Sequence, residues 1–325
     1  MRTLFVSATI RSSGNLHLLV SSSFLSYPQQ QRRSLWNTIR NIFINNNKSF
    51  IIPSSNSEND IISMSAFKRA KLSETASEKV IGTHSGSFQA DEAMGCFLLR
   101  QLSEYRLSKI VRSRDSAVLE KCDIVIDVGG EYDHNTKRYD HHQRGYDERF
   151  DDGGKKDFRC TKLSASGLVY RHYGKDVIKT YYPTLSEEHL DFVYVKIYNT
   201  LLEALDAIDT GVEMCSDGSE LVYKDTTGLS SRVGRLNPRW NEVNENGEAP
   251  DPDQLFLNAL ELCGTDFLSV MTKIVESDLP AREVVEKAML TRHDTDPSGE
   301  IISFPSGGLP WKGYVYEFEK LLQTD

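Results

Sequence analysis

The chain has 325 residues, of which 39% are hydrophobic and 26% are charged, and its formal net charge is −9. This composition is typical of a globular protein, and no run of about 18 apolar residues predicts a membrane span. Five cysteines, an odd number without a C-x-x-C spacing, argue against a disulfide framework and a zinc knuckle.

The N-terminal segment differs in composition from the rest of the chain. Residues 1–57 contain no Asp or Glu, but they carry six basic residues among serines and apolar residues. This composition is typical of a mitochondrial transit peptide, and a disordered tail is the alternative. We therefore expect residues 1–63 to be a transit peptide or disordered, and the folded protein to reside in the mitochondrial matrix.

A second methionine, Met64, precedes the basic cluster 68–71, which reads Lys-Arg-Ala-Lys. A product that started at Met64 would lack the presequence and begin with a cluster of the nuclear-localisation type. The sequence therefore predicts a basic linker over 64–78 and a second, nuclear pool of the protein.

Apolar runs alternate with helical periodicity over about fifty residues after the linker. Strands are predicted over 79–84, 110–111 and 123–128, and helices over 91–107 and 115–121. This alternation predicts an α/β fold with a doubly wound, mainly parallel sheet. Ligands of such sheets bind outside the carboxyl ends of the strands, which is where His84 and Asp127 fall.

Helical periodicity dominates the later part of the chain. A helix of about six turns is predicted from Ser186 to Thr210, with Gly211 ending it, and two more helices are predicted over 254–277 and 281–291. We therefore expect an α/β metal-binding domain over 79–215 and a helix-rich C-terminal portion over 216–325.

Polar residues collect at the predicted ends of these strands and helices: His84, Asp91, Asp127, Asp140, His141, His142, Asp206 and Asp209. Carboxylates mixed with imidazoles suit Mn²⁺ or Mg²⁺, and zinc remains an alternative on ligand type alone. Two close divalent cations can activate a water and stabilise a phosphoryl displacement. Each residue could also cap a helix or a turn, but their joint placement favours a two-metal site.

The distribution of charge along the chain bears on the class of substrate. Residues 1–79 carry ten Lys/Arg against four Asp/Glu, and the remainder carries 28 against 43. Non-specific affinity for nucleic acid comes mostly from neutralised phosphates, so an acidic body binds nucleic acid poorly. The residues alone therefore favour small phosphate compounds, such as pyrophosphate, nucleotides or short oligonucleotides, as substrates.

A series of motifs then indicates a family. The motifs are GTHSGSFQADEA (82–93), CDIVIDVGGEYD (122–133), RYDHHQR (138–144), TKLSASGLVY (161–170), LDAIDTG (205–211) and RLNPRWN (235–241). In order and spacing they resemble the MYG family, metal-dependent exonucleases related to the DHH phosphoesterases. The resemblance runs from about Lys79 to the last residue. It implies a 3′-to-5′ RNA exonuclease that acts on transcripts and ribosomal RNA precursors, in mitochondria and in the nucleus or nucleolus.

The resemblance also implies a set of metal ligands for two divalent cations, with Mn²⁺ favoured over Mg²⁺. His84 would bind the first ion. Asp91, His141 and Asp209 would bind the second ion, and Asp127 would bridge the two.

Roles near the substrate follow from the same resemblance. His142 would lie near the scissile phosphate, and Asp140 would orient its histidine neighbour. The nucleophile would be a metal-activated water. Arg144, Arg232 and Arg235 are candidates to bind phosphate, with an ordinary surface position as the alternative for each.

The chain departs from the family pattern at two places. Gln89 stands where the family usually has histidine, and we expect this neutral amide to weaken the first ion. The family usually continues with a Gly-rich portion past a segment that matches 310–312, so we expect a truncated C-terminal portion with reduced activity. A phosphohydrolase of small phosphates and a weakly active or non-enzymatic scaffold therefore remain alternatives.

Overall fold

The structure is a computed structural model that describes residues 79–151, 160–215, 223, 225–243, 245–305 and 307–322, together with four short strands before residue 64. Those strands belong to a separate unit, residues 1–77. Val6–Ile10 (β1) pairs antiparallel with Leu16–Val20 (β2), and Ile51–Pro53 (β3) pairs antiparallel with Ile61–Ser63 (β4). Most of the predicted transit peptide, Met64 and the basic cluster lie outside the described residues.

The second unit, residues 78–325, contains a five-stranded sheet. Its strands are Val80–Thr83 (β5), Lys109–Arg112 (β6), Ile124–Ile126 (β7), Tyr132–Asp133 (β8) and Arg138–Tyr139 (β9). The order is β6-β5-β7-β9-β8, and every neighbouring pair is parallel except β8 with β9. The predicted α/β fold with a mainly parallel sheet is confirmed. The β8–β9 pair was not predicted, because strands of two residues are too short to show a period.

Helices surround this sheet and continue beyond it. They are Ala90–Gln101 (α1), Ser116–Leu119 (α2), Ala165–Tyr181 (α3), Glu187–Ile197 (α4), Glu203–Asp209 (α5), Leu229–Gly234 (α6), Pro252–Lys273 (α7), Leu279–Leu290 (α8), Arg292–Thr295 (α9) and Lys312–Leu322 (α10). A π-helical segment, Tyr198–Leu202, joins α4 to α5, and another, Ile274–Asp278, joins α7 to α8. The helix-rich C-terminal part is as predicted.

One helix ends earlier than the sequence predicts, and another contains a π-helical segment that the sequence did not predict. The helix predicted over 91–107 ends at Gln101, because Leu102 is extended and the chain then turns so that Tyr105 becomes fully buried. The helix predicted from Ser186 is capped by the Ser186 hydroxyl, which accepts from the His189 amide. It continues through the π-helical segment to Asp209.

The sheet is covered on both faces. Ile124 and Ile126 of β7 join the main core, which includes α1, α3 and α7. Val125 points to the opposite face, as alternate strand residues do, and packs with Leu119 of α2 and with Cys122. The sequence predicted a boundary between the α/β domain and the C-terminal portion at position 215. The main core includes residues on both sides of that position, because α7 packs directly against α1.

One helical stretch in the described part of the chain, Pro252–Leu290, has the length and apolar composition of a membrane span. Phe256, Cys263, Phe267 and Met271 from its first half are buried in the main core. A core helix passes the same test of length and composition, so this stretch is only weak evidence for a membrane.

Candidate metal centre

The predicted ligands meet at the carboxyl ends of the parallel strands. His84 follows β5, Asp127 follows β7, His141 follows β9, Asp91 lies in the first turn of α1, and Asp209 ends α5. Because β5, β7 and β9 are neighbours and parallel, their ends lie at one edge of the sheet. The sheet order thus brings together side chains that are far apart in sequence.

One group of possible ligands consists of His84, Glu92 and Asp127, and we call it the His84 group. His84 Nε2 lies 2.9 Å from Glu92 Oε1 and 3.4 Å from Asp127 Oδ2. All three residues are buried, and their ligand atoms lie within 4.8 Å of one another. Glu92 was not predicted as a ligand, because in the sequence it was explained by the favourable position of an acid in the first turn of a helix.

A second group consists of Asp91, Asp127, His141 and Asp209, and we call it the His141 group. His141 Nε2 lies 3.1 Å from Asp209 Oδ2, and His141 Nδ1 lies 3.8 Å from Asp127 Oδ1. Asp127 therefore belongs to both groups, with Oδ2 towards His84 and Oδ1 towards His141. The structure brings together all five ligands that the family resemblance implied.

The backbone of the shared residue has an unusual conformation. Asp127 has a φ of 57°, in the left-handed region, which aspartate enters more readily than most residues do. Its amide donates to the carbonyl of Tyr139 at 2.9 Å, which ties it to β9. The strained turn after β7 is therefore held in place by the sheet itself.

Several buried ligand atoms of the two groups have no hydrogen-bond partner among the described residues: Glu92 Oε2, Asp127 Oδ1, His141 Nδ1 and Asp209 Oδ2. A buried polar atom without a partner is costly, and a bound cation would compensate for that cost. Oxygen and imidazole donors without a thiolate suit Mn²⁺ or Mg²⁺, and also Zn²⁺. The residues of the centre therefore fit divalent cations.

The pKa values show how much negative charge is concentrated here. Burial, together with repulsion from Asp91 and Glu92, raises the pKa of Asp127 to about 7 and that of Asp209 to about 9. Burial lowers the pKa of His84, but its contacts with Asp127 and Glu92 outweigh burial and raise it to about 10. Burial lowers the pKa of His141. Divalent cations would favour the ionised carboxylates and the neutral imidazoles.

The N-terminus of α3 holds the carboxylate of Asp91. The amide of Ala165 donates to Oδ2 at 3.0 Å, and the amide of Ser166 donates to Oδ1 at 2.7 Å. The Ser164 hydroxyl also contacts Oδ1. A helix N-terminus favours an anion, so this arrangement holds and orients the side chain of Asp91. The motif 161–170 had no assigned role in the sequence, and the hydroxyl contact with Asp91 explains Ser164.

Asp140 orients His142 and not His141. Asp140 Oδ1 accepts from the amide of His142 at 3.0 Å and lies 2.7 Å from its Nδ1, while Oδ2 accepts from the Gly130 amide at 2.6 Å. Burial would raise the pKa of Asp140, but these hydrogen bonds lower it. Because the Asp140 carboxylate is an acceptor, His142 donates to it through Nδ1–H, which directs Nε2 away from Asp140.

His142 lies at the edge of an open cleft. Its side chain is 64% exposed, and its Nδ1 lies 3.5 Å from Asp127 Oδ1. The cleft has a volume of about 470 Å³, and its lining consists of His141, His142, Gln143, Tyr146, Lys162, Asp209 and Thr210. Lys162 adds a positive charge to this lining and donates to the carbonyl of Tyr146 at 2.8 Å. The cleft therefore gives solvent access to the metal centre.

The three predicted phosphate-binding arginines differ in their surroundings. Arg144 is exposed, lies two residues after His142 and makes no hydrogen bond or ion pair with the described residues. Arg232 pairs with Asp266 at 2.6 Å, and Arg235 donates to the carbonyl of Thr226 at 2.8 Å. The structure thus leaves Arg144 available for a substrate, whereas the other two already have protein partners.

Another arginine approaches the centre without having been predicted. Arg114 Nη2 lies 3.2 Å from His84 Nδ1, and Arg114 Nε donates to the carbonyl of Ser85 at 3.2 Å. Arg114 follows β6, whose pairing with β5 brings it beside His84. Strand pairing is not visible in the sequence, and no motif pointed to this residue.

The family departure at Gln89 does not remove a carboxylate from the His84 group. Gln89 is exposed at the start of α1, and its backbone amide donates to Glu92 Oε1 at 2.8 Å. Glu92, three residues later, provides the carboxylate beside His84. The expectation that Gln89 weakens the first ion stays a prediction.

Comparisons with known proteins confirm the family that the motifs resemble. The family model for MYG1 exonucleases, which is described as an uncharacterised protein family (UPF0160), matches residues 80–325. "MYG1 exonuclease" of Bos taurus is 45% identical over 240 residues, which cover 74% of this chain and 61% of the relative. The human "MYG1 exonuclease" is 43% identical over 240 residues, covering 74% and 62%. A "MYG1 protein" of Saccharomyces cerevisiae is 38% identical over 263 residues, covering 79% and 75%.

The aligned region covers only part of each mammalian relative. This chain spans about three fifths of the length of the bovine and human proteins. No solved structure gives a significant match.

Proposed function

Because the chain belongs to the MYG1 exonuclease family, we propose that it is a metal-dependent nuclease that hydrolyses RNA from the 3′ end. The observation that carries this proposal is the position of Asp127 between the His84 group and the His141 group. Two such groups with a shared carboxylate match the arrangement that phosphodiester hydrolysis with two cations needs. We further assign the sheet to the doubly wound type of the DHH phosphoesterases, since α1 and α2 cover opposite faces.

The two groups would each hold one divalent cation, with Mn²⁺ favoured and Mg²⁺ as the alternative. Such cations supply an activated water and neutralise charge on the phosphate. The oxygens of Asp127 face different groups, so this side chain fixes the spacing between the two positions. The amides at the N-terminus of α3 hold the side chain of Asp91 in the His141 group.

The chain's own residues around the cleft have separate roles. His142 presents Nε2 to the cleft and can accept or return a proton, and Asp140 keeps its ring in that orientation. Lys162 and Arg144 bind phosphate oxygens of the substrate. This division of roles places proton transfer and substrate binding on exposed residues, and metal binding on buried residues.

The cellular location belongs to the same proposal. The acid-free, Arg-containing residues 1–57 support import into the mitochondrial matrix. The basic cluster after Met64 supports a nuclear or nucleolar pool. RNA in both compartments would then be the substrate.

Incubation of the full chain with 5′-labelled RNA and Mn²⁺ tests the proposal. We expect a ladder of products shortened from the 3′ end, and no products from the variant Asp127→Asn. An RNA labelled at the 5′ end and blocked at its 3′ end is the matched control substrate. Equal turnover by the wild type and Asp127→Asn would contradict the proposed metal centre, and no turnover by the wild type would favour a non-enzymatic scaffold.

A phosphohydrolase of small phosphates is the second candidate function. The cleft of about 470 Å³ has the volume of a small-molecule site, and the folded part of the chain is acidic. Pyrophosphate and dinucleotides in the same assay distinguish the two functions. Rapid hydrolysis of these compounds, without a ladder from longer RNA, would favour the second candidate.

A further inference from the structure

A buried carboxyl group lies behind the metal centre and contacts no ligand directly. Asp206, in α5, is fully buried. Its Oδ1 lies 2.6 Å from the Ser164 hydroxyl and accepts from the Ser164 amide at 3.1 Å. Its Oδ2 lies 2.7 Å from the Tyr198 hydroxyl. Ser164 in turn contacts Asp91, so a chain of contacts leads from Asp206 to the His141 group.

Counting the protons in the contacts from Asp206 through Ser164 to Asp91 shows which carboxyl group is neutral. The Ser164 hydroxyl has one proton, but it lies between an oxygen of Asp91 and an oxygen of Asp206. It can donate to only one of them, so the other carboxyl group must donate to Ser164 for both contacts to be favourable. Asp91 accepts two backbone amides, whereas Asp206 accepts one and is fully buried. The extra proton therefore belongs to Asp206.

The surroundings of Asp206 are built to receive a carboxyl group. A Cβ at Gly167 would overlap both oxygens of Asp206 and its carboxyl carbon, so only glycine leaves this space on α3. Ser164 and Gly167, from the same motif, thus hold and admit the Asp206 side chain. Burial raises the pKa of Asp206 to about 8. The hydrogen bonds from Ser164 and Tyr198 lower this pKa, but burial outweighs them.

We propose that Asp206 is a neutral carboxylic acid that positions Asp91 for metal binding by donating a hydrogen bond to Ser164. Ser164 then donates its own proton to Asp91, which fixes the second hydrogen bond on Oδ1 beside that from Ser166. A neutral Asp206 also avoids a further negative charge behind Asp91, Glu92, Asp127 and Asp209. Asp206 is thus a positioning residue, and its role rests on the proposed metal site.

Mn²⁺ titration calorimetry on the full chain tests the positioning role. In Asp206→Asn the side chain is neutral, and its Nδ2 can donate to the Ser164 hydroxyl but cannot accept from the Ser164 amide, so we expect it to retain more of the affinity for Mn²⁺ than Asp206→Ala does. Asp206→Ala removes the donor, and we expect a loss of about 10–100-fold, as is common for partners of metal ligands. Asp191→Asn, on the exposed side of α4 where Asp191 pairs with Lys175, is the matched surface control.

If Asp206 had a merely structural role, Asp206→Asn would not rescue the affinity for Mn²⁺ that Asp206→Ala loses. An Asp206→Asn variant as weak as Asp206→Ala would show that a neutral donor at this position does not support Asp91, and this would overturn the proposal. Unchanged affinity in Asp206→Ala would overturn it as well.

Infrared difference spectroscopy tests the protonation state without metal or substrate. The difference between the wild type and Asp206→Asn at neutral pH should contain the C=O band of a protonated carboxylic acid. Carboxylate bands in its place would overturn the neutral state. If the wild type bound no Mn²⁺, the metal site and the positioning role would both fall, while the infrared band would still decide whether Asp206 is neutral.

Discussion

His84 and Asp127 stand at the ends of adjacent parallel strands, with His84 Nε2 3.4 Å from Asp127 Oδ2. The other oxygen of Asp127 faces His141. A single side chain therefore connects both ligand groups, and most of the testable consequences begin at this residue.

The first prediction concerns the shared carboxylate. Asp127→Asn should abolish binding at both metal positions and lower nuclease activity by more than the roughly 10–100-fold typical of indirect metal partners. Asparagine tolerates the left-handed φ of 57° at this position, so the fold should persist. Mn²⁺ calorimetry with circular dichroism as the folding control measures this. Retention of full binding at either group would contradict a shared ligand.

The second prediction separates Glu92 from Gln89. Glu92→Gln removes the charge beside His84 but keeps an oxygen that can accept from the Gln89 amide, so the start of α1 should remain intact. We expect the loss of one bound Mn²⁺ out of two. Gln89→His is the matched control, and its stoichiometry should stay at two ions because position 89 is exposed. A gain of affinity in Gln89→His would support the expectation that Gln89 weakens the first ion, whereas two bound ions in Glu92→Gln would contradict Glu92 as a ligand.

The third prediction concerns proton transfer in the cleft. His142→Ala should lower kcat by about 10²–10⁴-fold, which is typical when a general acid or base is lost. His142 belongs to a further possible ligand group with Asp127, Asp140 and His141. Its side chain is 64% exposed and its Nδ1 is held by Asp140, so we expect affinity for Mn²⁺ to change little. Steady-state kinetics and metal titration on the same preparation test this. A parallel fall in metal affinity would make His142 a ligand.

The fourth prediction compares two arginines. Arg144→Ala should weaken RNA binding and reduce its dependence on salt by about one phosphate contact, because Arg144 is exposed near His142. Arg232→Ala should leave the salt dependence unchanged, because Arg232 pairs with Asp266. Fluorescence anisotropy across a salt series measures both slopes. Equal slopes for the two variants would exclude Arg144 from phosphate binding.

The fifth prediction concerns the stability of the metal-free protein as a function of pH. Folding raises the pKa of Asp127 to about 7 and of Asp209 to about 9, so the folded state holds protons that the unfolded state has released above about pH 4. Folding also raises the pKa of His84 to about 10, and this stabilisation is lost as the pH rises towards that value. All three effects predict a lower melting temperature at pH 9 than at pH 6.

Thermal unfolding in EDTA and in Mn²⁺ across this range checks the fifth prediction. Mn²⁺ should reduce the loss of stability at high pH, because it favours the ionised carboxylates. Asp209→Asn should flatten the metal-free curve. Stability that rises from pH 6 to pH 9 in EDTA would contradict the predicted charge cluster.

Much of the site was predictable because its residues end predicted strands and helices. The apolar runs that contain β5 and β7 placed His84 and Asp127 at strand ends, and the predicted helices placed Asp91 and Asp209. Glu92 and Arg114 were missed for opposite reasons. Glu92 has an ordinary role as a first-turn acid, and Arg114 becomes a neighbour of His84 only through the pairing of β5 with β6.

The sequence by itself determined the alternation of strands and helices, the ligand types and the family, because periodicity, side-chain chemistry and motif order are properties of the chain alone. Only the tertiary structure decided which oxygen of Asp127 faces which group, which histidine Asp140 orients, and that Ser164 lies between Asp91 and Asp206. The physical reason is that these relations depend on distances between elements from separate parts of the chain. Those distances are fixed by strand order and by the packing of α1, α3 and α5 around one buried centre.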